Sequence, residues 1–176
     1  MNTATPTRYD RRMQALMNDP KTHVLHATKG RRRAAVAAHI ALTGAFVACL
    51  TVLYAADQLW AAFALLALLV PYVVTTGILN AATRGLVELR SRVLDERQLA
   101  ERERARAVAH RMTGALILGA AVGLWLAAWC TDGQLTRAYA APLLGGVFVL
   151  HWLMPLWVAA LQVKDVPVED LEADLY

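Results

Sequence analysis

Residues 94–130 read LDERQLAERERARAVAHRMTGALILGAAVGLWLAAWC, a charged half running into an apolar half with no proline and no glycine before Gly114. Asp95 followed three residues later by Gln98 is a capping-box pattern. The carboxylate accepts a helix N-terminal amide and the carboxamide reaches back to the amide of the cap residue. Leu94 and Leu99 stand at the staple positions on either side. Together these features predict one helix from about Glu96 to Cys130, roughly 50 Å long from the helical rise per residue. Arg97 with Glu101, Glu101 with Arg104 and Glu103 with Arg106 are spaced for pairing on one face, each pair contributing a few tenths of a kcal/mol. Continuity matters more than the pairs. Such a helix exceeds a hydrocarbon layer about 30 Å thick, so its charged beginning must project from any membrane its apolar end enters.

The rest of the chain repeats the apolar half. The protein is 57% hydrophobic and 18% charged, and the charges are excluded from four windows, at about 34–56, 59–82, 112–130 and 138–163. Each approaches or exceeds the roughly 20 apolar residues needed to cross a bilayer. The expected fold is all-α and integral to the membrane: four transmembrane helices in an antiparallel bundle, with a helical hairpin at 83–111 between helices 2 and 3. The first window follows more than thirty largely polar residues and lacks a clean cleavage site, so it is expected to remain in the protein.

Charge asymmetry orients this arrangement. Residues 1–33 hold eight Lys or Arg, residues 83–111 hold eight, and the other two are Arg137 and Lys164. Basic residues near helix ends stay cytoplasmic, which puts the N-terminal segment, the hairpin and, after four crossings, the 164–176 tail on that side. A bacterial inner membrane is the expected location. The basic total is thereby accounted for, and nucleic-acid binding is not expected.

Leu94, Asp95, Glu96 and Arg97, then alternating charges, alanines and Arg111 leading into an apolar helix, resemble a pattern in small, uncharacterised, multi-pass bacterial membrane proteins. The resemblance implies a multi-pass protein with a charged cytoplasmic hairpin, and it brings no reaction or ligand.

Residues 1–33 include Thr5-Pro6 as a possible helix start, then Met13, Leu16 and Met17 at helical spacing before Pro20. Lys29, Arg31, Arg32 and Arg33 anchor the first window. That window is rich in small residues, which allows a neighbouring helix close approach. The Asp57-Gln58 turn forces the first two segments to be neighbours. Pro71 predicts a kink in the second, and Leu86, Leu89 and Val93 extend its periodicity through 84–92, with the reversal expected at about 92–94.

Four polar residues form the candidate intramembrane site. His39 lies about 9 Å along the helix from Arg33, at a depth overlapping Thr76 and Asn80. His151 sits at about mid-membrane beside Trp152, with Pro155 four residues on. An intramembrane ionisable residue is a functional candidate by default, and a histidine can relay protons, yet no carboxylate occupies any window to work with it. Joint ligation of a metal or haem by His39 and His151 is opposed by depths about 10 Å apart. Gly119 and Gly123 form GxxxG, expected to bring helices together within the chain or between copies. Cys49 and Cys130, the only cysteines, are expected to be packing residues.

No nucleophile elbow, HExxH, phosphate-cradling loop or pair of intramembrane carboxylates occurs, so neither catalysis nor a cofactor is expected. The leading expectation is a non-enzymatic assembly, anchoring or regulatory subunit. Its predicted partner surface is Glu96, Arg97, Glu101, Arg102 and Arg104, presented with both tails to a protein partner. The alternative is a small oligomeric transporter or channel using His151. The 164–176 tail carries Asp165, Glu169, Asp170, Glu172 and Asp174 against Lys164, with Val166, Val168, Leu171, Leu175 and Tyr176 between them. It could dock on the basic N-terminal region, bind a partner or remain solvated.

Overall fold

The computed structural model describes residues 7–17, 22, 25–91, 93–131 and 133–163. Expectations for Thr5, Pro6, Pro20 and the 164–176 tail lie outside these residues. Five helices are described: α1 (Arg8–Met17), α2 (Lys29–Ala56), α3 (Trp60–Ala82), α4 (Glu96–Cys130) and α5 (Gln134–Gln162), with no strand among the described residues. Four of them, α2 to α5, are long and apolar enough to cross a membrane, as suits a multi-pass membrane protein.

Two of the long helices, α2 and α4, begin at a side-chain cap. Thr28, extended at φ −106 and ψ 150, caps α2 by accepting from the Arg31 amide at 3.3 Å. This starts the helix five residues before the apolar window, because a charged turn satisfies helical bonding as well as an apolar one. Asp57 ends α2 in the left-handed region at φ 50. The capping box of α4 is complete: Asp95 Oδ1 accepts from the Gln98 amide at 2.6 Å, and Gln98 Oε1 accepts from the Asp95 amide at 3.1 Å. The helix then runs unbroken to Cys130, through the polar-to-apolar boundary. α1 starts at Thr7: its hydroxyl accepts from the Asp10 amide at 3.3 Å, and Asp10 Oδ2 accepts from the Thr7 amide at 2.8 Å.

The end of α3 corrects the expected reversal. Leu86, Leu89 and Val93 have helical spacing, but the helix stops at Ala82. The Gly85 amide donates to the Asn80 carbonyl at 2.8 Å and the Arg84 amide to the Ala81 carbonyl at 2.9 Å. Arg84 sits at φ 51 and Gly85 at φ 69. This is the Schellman pattern of a helix C-terminus, with a left-handed residue after the last carbonyls. Leu86 and Leu89 are still buried, so the apolar spacing served packing of a turn rather than continuation of the helix.

Packing places α5 at the centre. It contacts α2, α3 and α4, while α2 and α3 pack together after their short turn, and α4 touches no other helix than α5 among the described residues. Spans two and three, expected side by side beneath the hairpin, are therefore not in helix-to-helix contact. The thirteen residues between Ala82 and Glu96 are long enough to carry the chain across. The core gathers at the end bearing the charged helix: Val36, Leu79, Leu86, Ala105, Ala109 and a block of α5 from Met154 to Ala160. Towards the other end the helices present large apolar side chains outward, including Phe63, Leu118, Trp129 and Phe148.

Among the described residues, the GxxxG of α4 is not a point of close helix approach. A Cβ built on Gly119 or Gly123 would meet nothing within 4 Å, whereas one on Gly146 of α5 would stand 3.2 Å from Val47 Cγ1 of α2. Close approach falls at Gly146 because α5 is wedged against α2 there. α4 leans on α5 with another face, lined by Arg102, Ala105, Ala109 and Thr113.

Candidate functional site

Two polar assemblies stand out, one between the apolar helices and one at their charged end. The first is centred on His39. Arg32, Val36, His39 and Thr43 are the buried residues of α2, four, three and four apart, so they form one stripe facing α3 and α5. His39 is fully buried. Its Nδ1 accepts from the Trp157 indole N–H of α5 at 3.0 Å. Because an indole nitrogen only donates, Nδ1 carries no proton, and Nε2 bears the hydrogen of the neutral ring. Nε2 stands 2.9 Å from Thr76 Oγ1 of α3 and donates to it. The Thr76 hydroxyl in turn donates to the Tyr72 carbonyl at 2.8 Å.

One chain of hydrogen bonds, Trp157 to His39 to Thr76 to the Tyr72 carbonyl, thus joins three helices. Tyr72 also lies against the imidazole, with ring centroids 4.7 Å apart. Every polar atom in the chain is satisfied, which is what an apolar surrounding demands. Both ring nitrogens of His39 are committed, leaving no lone pair free for a ligand.

The four expected intramembrane residues therefore separate. His39 and Thr76 are brought into direct contact. Asn80, one turn beyond Thr76, is half-buried, and its buried Oδ1 has no hydrogen-bond partner among the described residues. His151 is exposed on α5 beside the exposed Trp152, about 9 Å of helical rise from Trp157. Sequence depth matched His39 to Thr76, but the indole partner was missed. Its only signal was position, since Trp157 lies six residues from the end of its apolar window at 163 and His39 five from the start of its own at 34.

The second assembly ties the ends of the helices together. Arg32, hidden within the basic run Lys29, Gly30, Arg31, Arg32 and Arg33, is 3% exposed. Its guanidinium donates to the Val163 carbonyl at 2.8 Å and to the His26 and Ala27 carbonyls at 3.2 and 3.3 Å. It therefore closes the open carbonyl end of α5 against the entry to α2, as cations do at helix C-termini. Asp10 of α1, buried, faces the Arg90 guanidinium at 4.0 Å and fixes α1 beside the reversal.

Arg102, expected on the partner surface, is instead 8% exposed and turned inward. Its guanidinium donates to the Leu89 carbonyl at 3.1 Å, bracing α4 against the reversal. Burial and then the neighbouring Arg106 lower its pKa, with Glu103 acting in the opposite sense. The other expected residues, Glu96, Arg97, Glu101 and Arg104, are exposed on α4. Arg97 and Glu101 pair at 3.2 Å. Cys49 is half-buried and Cys130 exposed, both as free thiols. Among the described residues, no three His, Cys, Asp or Glu side chains cluster where they could hold a metal ion.

Comparison with protein-family models, with curated proteins and with solved structures finds no match.

Proposed function

We propose that this chain is a four-span protein of a bacterial inner membrane that acts through contacts: an assembly, anchoring or regulatory subunit whose charged hairpin meets a protein partner in the cytoplasm. The observation that carries this proposal is the construction of the start of α4. It is capped by Asp95, braced from within by Arg102, and bears Glu96, Arg97, Glu101 and Arg104 outward. A braced helix presents those charges at low entropic cost to a partner. Lipid is the other partner, since the exposed side chains of the four long helices are largely apolar. Both termini lie in the cytoplasm in this proposal, following the basic residues.

The test is a charge swap that leaves the fold alone. Arg97→Glu, Glu101→Arg and Arg104→Glu together retain helix formers at exposed positions. Affinity capture of the solubilised protein is expected to lose its stoichiometric partner with this variant. Equal recovery of the same partner by both proteins would sink the proposal.

One observation favours the second proposal, a small oligomeric transporter or channel. His151 is exposed on α5, where a second copy could enclose it. Liposomes carrying the protein should then show pH-dependent flux that His151→Ala abolishes, and equal leakage by both would remove this proposal.

A further inference from the structure

A groove of about 420 Å³ lies between α1 and the reversal, lined by the polar Arg11, Gln14, Arg84 and Gln98 and by the apolar Leu89, Val93 and Leu94. Leu89 and Leu94 are buried, while Arg11 and Arg84 are exposed. Arg84 is held in the left-handed region at φ 51 by the turn that ends α3. Among the described residues neither guanidinium has a carboxylate partner. Arg90, Arg97, Arg102 and Arg106 each face an acid within 4.0 Å, and Arg11 and Arg84 differ from other unmatched arginines in sharing one groove. Two unmatched cations beside apolar side chains in one groove fit an extended segment that alternates acidic and apolar side chains.

The chain itself has such a segment. Residues 164–176 read KDVPVEDLEADLY, five acids and one lysine with Val166, Val168, Leu171 and Leu175 between them. They leave α5 at Val163, whose carbonyl is held by Arg32 at the same end of the molecule as the groove. Thirteen residues reach at most about 45 Å, and a tether of this length keeps its segment at a millimolar local concentration. We infer that the acidic 164–176 tail docks in this groove, its carboxylates on Arg11 and Arg84 and its apolar side chains on Leu89, Val93 and Leu94. The groove takes only Gln98 from α4, so the tail and a partner on Glu96, Arg97, Glu101 and Arg104 use adjoining surfaces with no residue in common.

The full chain in phosphatidylcholine nanodiscs, with Cys49→Ala and Cys130→Ala, provides the test. Ala15→Cys at the groove and Leu171→Cys in the tail are joined by a short bismaleimide, and the intramolecular product is measured by mass. The yield is expected to exceed that of a control pair, Arg104→Cys with Leu171→Cys, by about fivefold, and to fall as salt shortens the Debye length. Arg11→Glu with Arg84→Glu should reduce it to the control level. Adding Asp170→Arg and Glu172→Arg to that variant should restore it, which separates lost docking from lost folding. A yield equal to the control in the unreversed protein, or one that charge reversal leaves unchanged, overturns the inference.

Discussion

Trp157 and His39, 118 residues apart in sequence, are joined by an indole N–H donating to an imidazole Nδ1 at 3.0 Å. This bond connects the central helix α5 to α2, and Thr76 extends it to α3. Trp157→Phe keeps the ring and removes the donor, leaving Nδ1 buried without a partner. A loss of about 1 kcal/mol is expected, since hydrogen bonds between membrane helices contribute on the order of 0.6 and an orphaned acceptor adds to that. Thermal unfolding in detergent checks it. In a His39→Leu background the same substitution should cost distinctly less, and equal costs in both backgrounds would show that the bond contributes nothing.

The turn after α3 makes two opposite predictions one residue apart. Gly85 has φ 69, and a Cβ there would meet Leu89 Cγ at 2.9 Å and Met17 Cγ at 3.2 Å. Gly85→Ala is expected to destabilise by about 1–3 kcal/mol from the left-handed backbone and the overlap. Arg84, at φ 51 and exposed, already bears the left-handed cost, and Arg84→Gly should stabilise by up to about 1 kcal/mol. Melting temperatures of the two variants should move in opposite directions.

Capping sets the third. Asp95→Ala removes the acceptor for the Gln98 amide, held at 2.6 Å, and should cost about 1 kcal/mol. Because the cap lies at the end of a long helix, the loss should appear as faster amide hydrogen exchange in the first turn of α4. Unchanged exchange there would mean that the tertiary brace, not the cap, holds the helix start.

That brace provides the fourth. Arg102→Met leaves the Leu89 carbonyl without its donor, an expected loss of about 1–3 kcal/mol. Arg97→Met, which removes only an exposed pair with Glu101, should change stability by less than about 0.5 kcal/mol. Urea or detergent denaturation of both variants tests the contrast.

Much of the architecture was legible before any tertiary contact. Asp95 and Gln98 announced the start of α4, and the windows at 34–56 and 59–82 lie on α2 and α3 with small offsets. The stop at Thr83–Gly85 was hidden because Leu86, Leu89 and Val93 kept a helical period while packing as a turn. Arg102 was hidden in a run of charges, although its line with Ala105, Ala109 and Thr113 marks the face against which the chain folds back. His39 and Thr76 were matched by depth alone. Depth also made His151 a candidate, and depth carries no information about which side of a helix meets a neighbour.

The sequence by itself determined the number and extent of the apolar helices, the cap of α4 and the concentration of charge at 1–33 and 83–111. These follow from local hydrogen bonding and from the length of apolar chain, which neighbouring residues decide. Only the tertiary structure decided that α5 lies at the centre, that Trp157 rather than His151 joins His39, and that Gly119 and Gly123 face outward. The physical reason is that helices apolar all round carry no hydrophobic stripe to orient them. Their facing sides are chosen by close packing and by the few buried polar atoms that must find partners.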